Sequence, residues 1–243
     1  MRDWSGDFCK KEKELKNGIG MFYKIELKDS EMINIKTEGY IMTNYLAITI
    51  SRQSGSGGRE IGKILAERLG IACYDREIIE RASKESGISE NFFSSKAWDD
   101  ELVTSQTQGK TEEFRRIMTR QRVFAAQSDA IRRIISERPC VFVGRAADYV
   151  LEGHKNRLSV FLSADLSDRV KRVSKKYQLT DREAEVAIRK VDRQRALYYD
   201  YFTEMQWGAS DHYDCCLSTS RFGLEKTADA IEQLIKTLSL TLE

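Results

Sequence analysis

The chain has 243 residues, of which 41% are apolar and 32% charged, and this composition excludes both a disordered polymer and a membrane-spanning protein. A net charge of only +2 provides no global field for nucleic acid or for an acidic membrane surface. Five cysteines without C-x-x-C spacing argue against a disulfide framework or structural zinc, and no apolar signal segment opens the sequence. We therefore expect a cytoplasmic protein with small-molecule partners and without nucleic acid or membrane as a partner. The oligomeric state is not indicated.

Residues 1–44 are predicted to form an N-terminal extension that differs in pattern from the rest of the chain. Two short stretches within it, 21–27 and 32–36, alternate apolar and polar residues as strands do. They are compatible with a hairpin, and the alternative is a loosely held extension. The main domain is predicted over residues 45–243.

From Tyr45 onward, short apolar runs alternate with amphipathic helical patterns. The predicted strands are 45–51, 71–74, 140–143, 158–162 and 214–218. The predicted helices are a first one ending at Leu69 and then 76–86, 112–137, 146–151, 166–177, 181–202 and 224–238. This alternation is typical of a parallel sheet with helices on both faces. A polar segment at 99–111 is predicted to be a mobile loop that helps to shape a substrate pocket.

A glycine-rich loop joins the first predicted strand to the first predicted helix. It contains Gly55, Ser56, Gly57 and Gly58, followed directly by Arg59. Glycines allow backbone N–H groups to converge, and the unpaired amides and the dipole of a helix start favour an anion. The loop is therefore predicted to bind phosphate, and the alternative is a tight turn without a ligand.

This loop departs from the Walker A pattern G-x-x-x-x-G-K-[ST], in which lysine contacts the phosphates and the hydroxyl binds Mg²⁺. When Gly57 is aligned with the second motif glycine, Gly58 stands at the lysine position and Arg59 at the hydroxyl position. Arg52 then stands at the first glycine. Arg52 and Arg59 can supply positive charge, because arginine stays protonated and binds phosphate through a fork of donors.

Charged residues lie just past the carboxyl ends of three of the predicted strands. Asp75 lies past the second strand, Arg145 past the third and Asp165 past the fourth. Ligands of open α/β sheets bind in the crevice at these carboxyl ends. Arg145 is thus a candidate binding residue, with a structural ion pair as the alternative. Asp75 is a candidate either for binding or for capping the next helix.

Arg189, Asp192 and Arg195 are spaced three residues apart in one predicted helix. This spacing lets a helix direct all three side chains the same way. Two guanidinium groups beside a carboxylate suit a clamp on a transferring phosphoryl group, and the alternative is an ordinary solvated face. The aromatic run at 198–202 is interpreted mainly as packing.

Three segments together resemble bacterial cytidylate kinase and, more closely, the cytidylate kinase-like family. They are Ser51–Gly62, Phe142–Tyr149 and Val191–Tyr199, and the resemblance extends over about residues 45–240. It implies an α/β fold of the P-loop NTPase type, with a parallel sheet of about five strands, helices on both faces and a helical lid.

The resemblance also implies ATP-dependent phosphoryl transfer to a nucleoside monophosphate, with CMP or dCMP foremost, and with ATP and Mg²⁺ as cofactors. The metal ligands stay unknown. Loop residues from Arg52 to Arg59 would hold ATP, and Arg145 would contact the monophosphate. Asp75 and Asp148 would lie on the substrate side.

The same resemblance implies that Arg189, Asp192 and Arg195 form the lid and take part in catalysis. Arg59, which stands where the family has a hydroxyl residue, is a candidate catalytic residue because of its charge in the loop. Two alternatives stay open. One is a nucleotide-binding module with little catalysis, and the other is a kinase for a different small molecule.

Overall fold

The computed structural model divides the chain into two compact units, residues 1–42 and 43–243. The residues that the structure describes are 22–26, 34–38, 44–93 and 110–242. Most of the predicted loop at 99–111 lies outside them, and so does most of the predicted N-terminal extension.

Two strands are described in the N-terminal unit. Strand β1 (Phe22–Glu26) pairs antiparallel with β2 (Asn34–Glu38), with Tyr23 opposite Thr37. These strands overlap the two stretches whose apolar and polar residues alternate in the sequence.

The larger unit is built on a parallel sheet of five strands, as predicted. These are β3 (Ala47–Arg52), β4 (Ala72–Tyr74), β5 (Cys140–Val143), β6 (Arg157–Ser163) and β7 (Cys215–Ser218). Their order across the sheet is β4-β5-β3-β6-β7, and every neighbouring pair is parallel. Strand β3 is therefore central, so the glycine loop at its carboxyl end lies in the middle of one sheet edge.

Seven helices are described. They are α1 (Gly58–Leu69), α2 (Glu77–Ser86), α3 (Lys110–Glu137), α4 (Ala147–Val150), α5 (Leu166–Tyr177), α6 (Asp181–Thr203) and α7 (Thr219–Thr237). Helix α7 begins earlier than its predicted start at 224. Its backbone is not helical at Gly223, where φ is 72° and ψ is 178°, so the uninterrupted part begins where the sequence pattern does.

The helices cover both faces of the sheet. Alternate residues of a strand point to opposite sides, so each face presents apolar side chains to the helices. In β5, Phe142 packs in a cluster with Ile78 of α2 and Ile131 of α3. Its neighbour Val143 packs on the other side, with α1 and α7. The strand is buried on both faces, as its continuous apolar run predicted.

Helices α5 and α6 pack on each other around a small apolar cluster of their own, formed by Val170, Val173, Ala184 and Ile188. Helix α6 begins with a capping box, in which Thr180 accepts from the Glu183 amide and the Glu183 carboxylate accepts from the Thr180 amide. This helical pair stands beside the glycine loop and supplies the predicted helical lid.

No helix in the described part of the chain combines the length and the apolar character that are needed to cross a bilayer.

Candidate active site

The glycine loop runs from the end of β3 to the start of α1 in a conformation that requires glycine. Gly55 and Gly57 have φ of 78° and 85°. A Cβ atom on Gly55 would lie 2.9 Å from the backbone oxygen of Arg169, and one on Gly57 would overlap the Leu224 side chain. Both positions therefore favour glycine, which lets the α5 backbone at Arg169 and the Leu224 side chain of α7 pack directly on the loop.

Carbonyl groups of the loop are held by outside donors. Thr219 Oγ1 donates to the Ser56 carbonyl at 2.8 Å, and Arg172 donates to the Gly55 carbonyl at 3.2 Å. Among the described residues, no acceptor is bonded to the amides of Gly57, Gly58 or Arg59. The start of α1 therefore presents unpaired amides, which an anion site requires, at the place where the sequence predicts one.

Two cavities flank the loop. We call the first, of 260 Å³, the strand-end cavity, because it lies at the carboxyl ends of β3, β4 and β5 beneath α6. We call the second, of 670 Å³, the loop cavity, because it lies between the glycine loop and α5. Three arginines line both cavities: Arg52, Arg59 and Arg195.

The strand-end cavity concentrates positive charge. Arg145 joins the three shared arginines there, and Asp75 is the one carboxylate among the described lining residues. Arg59 donates through Nε to Asp75, and Arg52 Nη2 lies 3.5 Å from the same carboxylate. One carboxylate cannot balance four guanidinium groups, so the cavity favours an anionic ligand.

Burial disfavours the charged form of three of these arginines. It is the main cause that lowers the pKa of Arg52 to about 9, and the charge of Arg195 lowers it further. Burial likewise lowers the pKa of Arg145 and of Arg195. A bound anion would oppose all three shifts, because it favours the charged form.

Arg145 is aimed by the backbone that follows β5. Gly144, Arg145 and Ala146 have φ of 80°, 62° and 51° in succession. This course turns the chain sharply into α4, and the Arg145 guanidinium donates to the Phe93 carbonyl at 3.3 Å. The structure thus places Arg145 at the crevice where the sequence predicted it.

Two of the three predicted lid residues contact the loop. Asp192 accepts from the Ser54 amide and from Arg169, each at 2.6 Å. Arg195 donates to the Arg52 carbonyl at 2.8 Å. Helix α6 is therefore fastened to the end of β3 and to the loop.

Arg189 lies elsewhere. Its side chain is 66% exposed and pairs with Glu185 one turn earlier on α6, at 2.7 Å. Residues three apart on a helix differ by about 60° in direction, so Arg189 and Arg195 differ by about 120°. A spacing of three residues thus keeps Arg189 near Asp192 and Asp192 near Arg195, but it does not bring Arg189 and Arg195 to one site in this structure.

Asp148 lies below the strand-end cavity, outside its lining. It is buried, accepts from Tyr199 at 2.6 Å and from Ser51 at 3.2 Å, and burial raises the pKa of its carboxyl. Ser51 and Tyr199 do line the cavity. Asp148 thus touches two lining residues and fixes where they point.

Sequence reasoning missed several residues of the site. Arg169 and Arg172 of α5 bond to the lid and the loop, and their spacing in a helix was a usable signal. The aromatic lining of the strand-end cavity was not predicted, apart from the run interpreted as packing. It consists of Phe93, Tyr198, Tyr199 and Trp207.

Three of the solved structures that are similar to this chain are as follows. An uncharacterized protein from Eubacterium ventriosum ATCC 27560 is 25% identical with a TM-score of 0.60, over 79% of this chain and 99% of that one. A shikimate kinase from Bacteroides thetaiotaomicron is 12% identical with a TM-score of 0.46, over 79% and 98%. A gluconokinase from Sinorhizobium meliloti 1021 is 13% identical with a TM-score of 0.44, over 80% and 95%. No curated protein matches the sequence.

A parallel sheet with a glycine-rich loop between its central strand and α1 is a fold of the P-loop NTPase type. Within that class the sequence is more specific. The chain belongs to the cytidylate kinase-like family, whose model matches residues 47–221. The predicted family and fold are thereby confirmed.

Proposed function

We propose that the protein transfers a phosphoryl group from ATP to a nucleoside monophosphate. The observation that carries this proposal is the pair of cavities on either side of the glycine loop, with Arg52, Arg59 and Arg195 in the lining of both. Phosphoryl transfer needs little covalent chemistry from the protein. It needs two substrates in line and positive charge between them, and three shared arginines supply that charge.

The loop cavity suits the donor. Its wall includes the glycine loop, whose unpaired amides can donate to phosphate, and the cations Arg172, Lys175 and Lys176 of α5. Tyr177 also belongs to this wall and is 60% exposed, so its ring offers a face on which a base can stack.

The strand-end cavity suits the acceptor. Its arginines match a phosphate, and Phe93, Tyr198 and Trp207 offer flat apolar surface for a nucleobase. An acceptor with both a phosphate and an aromatic base uses both features. The family resemblance names CMP and dCMP as the first acceptors to test.

Magnesium would reach the site with the nucleotide. The described residues contain no group of three His, Cys, Asp or Glu side chains that could hold a metal. Kinases often bind Mg²⁺ through one or two carboxylates and substrate phosphates. Asp75 is the carboxylate among the described lining residues of the strand-end cavity, and it would exchange its pairing with Arg59 and Arg52 for the ion. The ion would neutralise charge on the phosphates, while Arg59 stands where other P-loops place a hydroxyl.

Lid residues complete the proposal. Asp192 and Arg195 already join α6 to the loop, and for Arg189 to reach the phosphates its side chain would leave Glu185 and α6 would turn as the lid closes around bound substrates. Closure would exclude water from the transferring group and add charge stabilisation.

The first prediction tests the acceptor side. ADP release would be measured with CMP, dCMP, UMP, AMP and GMP, and with shikimate and gluconate as acceptors of another class. We expect turnover with a pyrimidine monophosphate. Arg145→Ala should lower kcat/KM for that acceptor by about 10²-fold, because a buried charge-assisted contact is lost, and should leave ATP affinity unchanged.

Arg138→Ala is the matched control, since Arg138 is exposed at the opposite end of β5. Absence of turnover with every monophosphate, from folded protein, would reject the kinase proposal. Turnover with a non-nucleotide alone would replace the acceptor class.

A second function is favoured by one specific feature. The loop lacks the lysine and the hydroxyl of the Walker A pattern, having Gly58 and Arg59 instead. A nucleotide-binding module with little catalysis would tolerate both changes. Calorimetric binding of ATP without turnover of any acceptor would support it over the kinase.

A further inference from the structure

Gly58 occupies the position at which the Walker A pattern has lysine, and the space beside it is filled by another residue. A Cβ atom on Gly58 would lie 2.8 Å from both Cβ and Cγ of Arg52. Gly58 has no left-handed φ, so its backbone does not require glycine. The stem of Arg52 does require it, because real Cβ atoms do not approach other carbons so closely.

The head of the same arginine passes over a second glycine. A Cβ atom on Gly144 would overlap Arg52 Nη1 and would lie 2.8 Å from Arg52 Cζ. Arg52 thus runs from the end of β3 between two residues without side chains. Gly58 makes room for its aliphatic stem and Gly144 for its guanidinium.

This path brings the Arg52 guanidinium to the boundary of the two cavities. Its side chain is 15% exposed, it lines both cavities, and its described ion pair is the 3.5 Å contact with Asp75. A buried cation with one long contact lacks full compensation, and an anion at the boundary would provide it. Arg59, by comparison, is 50% exposed and its Nε is already bonded to Asp75.

We propose that Arg52 replaces the missing loop lysine as the cation that neutralises the transferring phosphate. The Walker A pattern places this positive charge at the first residue of α1, whereas in this chain the last residue of β3 carries it. Gly58 and Gly144 have no side chains and so leave room for Arg52. The assignment rests on the proposed function for its catalytic part, whereas phosphate binding by Arg52 stands apart from it.

A relocation experiment tests this exchange. The four proteins are wild type, Arg52→Ala, Gly58→Lys, and the double variant with both changes. Calorimetry with Mg-free tripolyphosphate reports phosphate binding, and ADP release with ATP and the best acceptor reports transfer. Arg52→Ala should weaken tripolyphosphate binding at least about tenfold and lower kcat about 10²-fold.

Gly58→Lys should have opposite effects on tripolyphosphate affinity in the two backgrounds. Gly58→Lys in the wild-type background should lower stability and binding, because its side chain meets Arg52. In the Arg52→Ala background the same lysine should regain at least about tenfold of the lost affinity, since Cγ and the guanidinium of residue 52 are then gone and only its Cβ stays close. Arg138→Ala serves as the control for loss of one surface arginine.

Stability supplies a readout that turnover does not influence. Gly58→Ala should lower the thermal midpoint in the wild-type background and should lower it less with Arg52→Ala, because the contact with Cγ is then absent and only the contact with Cβ remains. Unchanged tripolyphosphate binding in Arg52→Ala, or a folded double variant no better than Arg52→Ala, would overturn the assignment.

The two proposals fail in different ways. If no monophosphate is turned over but Arg52→Ala still weakens tripolyphosphate binding, the kinase proposal falls and Arg52 stays the phosphate cation. If transfer is found and Arg52→Ala leaves it intact, the Arg52 assignment alone falls.

Discussion

At the scale of single residues, Asp148 shows how a buried carboxylate supports the site from below. It receives hydrogen bonds from Ser51 and Tyr199, both of which line the strand-end cavity. Its backbone carbonyl also accepts from Arg157 at 2.6 Å. Even with these donors, burial raises the pKa of the carboxyl above its ordinary value of 3.8.

This shift predicts a pH dependence of stability. A raised carboxyl pKa means that the folded state holds the proton more tightly than the unfolded state. The contribution of Asp148 to stability should therefore fall as pH rises from near 3.8 through its folded pKa, and level off above it. Urea unfolding of wild type and Asp148→Asn between about pH 4 and about pH 7 measures this, because the variant cannot titrate.

The free energy of unfolding of Asp148→Asn, minus that of wild type, should increase across this window. A difference that stays constant with pH would show that Asp148 titrates alike in both states.

At the scale of elements, helix α6 is the part that joins the lid to the phosphate loop. Its start is fixed by the capping box of Thr180 and Glu183, and its middle is fastened through Asp192. The Asp192 carboxylate accepts from a loop amide and from Arg169, whose side chain is 12% exposed. An interaction that is shared between two elements and shielded from water contributes more than an exposed pair within one helix.

Two substitutions on α6 compare these cases. Asp192→Ala should lower the free energy of unfolding by about 1–3 kcal/mol, because Arg169 and the Ser54 amide lose their acceptor. Arg189→Ala breaks only the exposed pair with Glu185 and should cost less than about 0.5 kcal/mol. Urea unfolding of both variants gives the comparison, and equal losses would contradict it.

At the scale of the whole molecule, the notable feature is how unevenly the charge is distributed. The chain as a whole carries only +2, yet the described residues that line the strand-end cavity include four arginines and a single carboxylate. The folded state holds these cations together and the unfolded chain separates them. Anions should therefore bind the folded protein and stabilise it.

Ligand-induced stabilisation follows from this imbalance. ATP or tripolyphosphate at 100 times its dissociation constant should raise stability by about 2.7 kcal/mol. For a chain of this size each kcal/mol corresponds to roughly 2–4 °C in the thermal midpoint. Thermal unfolding with increasing ligand measures the shift, and adenosine, which lacks phosphate, is the control. An equal shift with adenosine would show that the arginines do not direct binding.

Sequence reasoning reached the fold because its signals are local. The continuous apolar run at β5 and the glycine loop both reflect constraints within a few residues. The direction of Arg189 depended on how α6 rotates against the sheet, and the path of Arg52 depended on Gly144, which is far away in sequence. Trp207 enters the cavity from beyond α6 for the same reason. Tertiary packing decides such placements, so the spacing of residues in the sequence does not predict them.

The three consecutive left-handed residues after β5 have a consequence for binding entropy. Arg145 and Ala146 adopt this conformation without being glycine, at about 1–2 kcal/mol each, and folding bears that strain before any ligand arrives. The backbone that carries Arg145 is therefore ordered in advance, and the Phe93 carbonyl holds its guanidinium, so little further conformational freedom is lost when an acceptor binds. Ala146→Gly would relieve strain but make the turn between β5 and α4 more flexible. It should weaken acceptor binding several-fold with ATP affinity intact, which calorimetry on each substrate can separate.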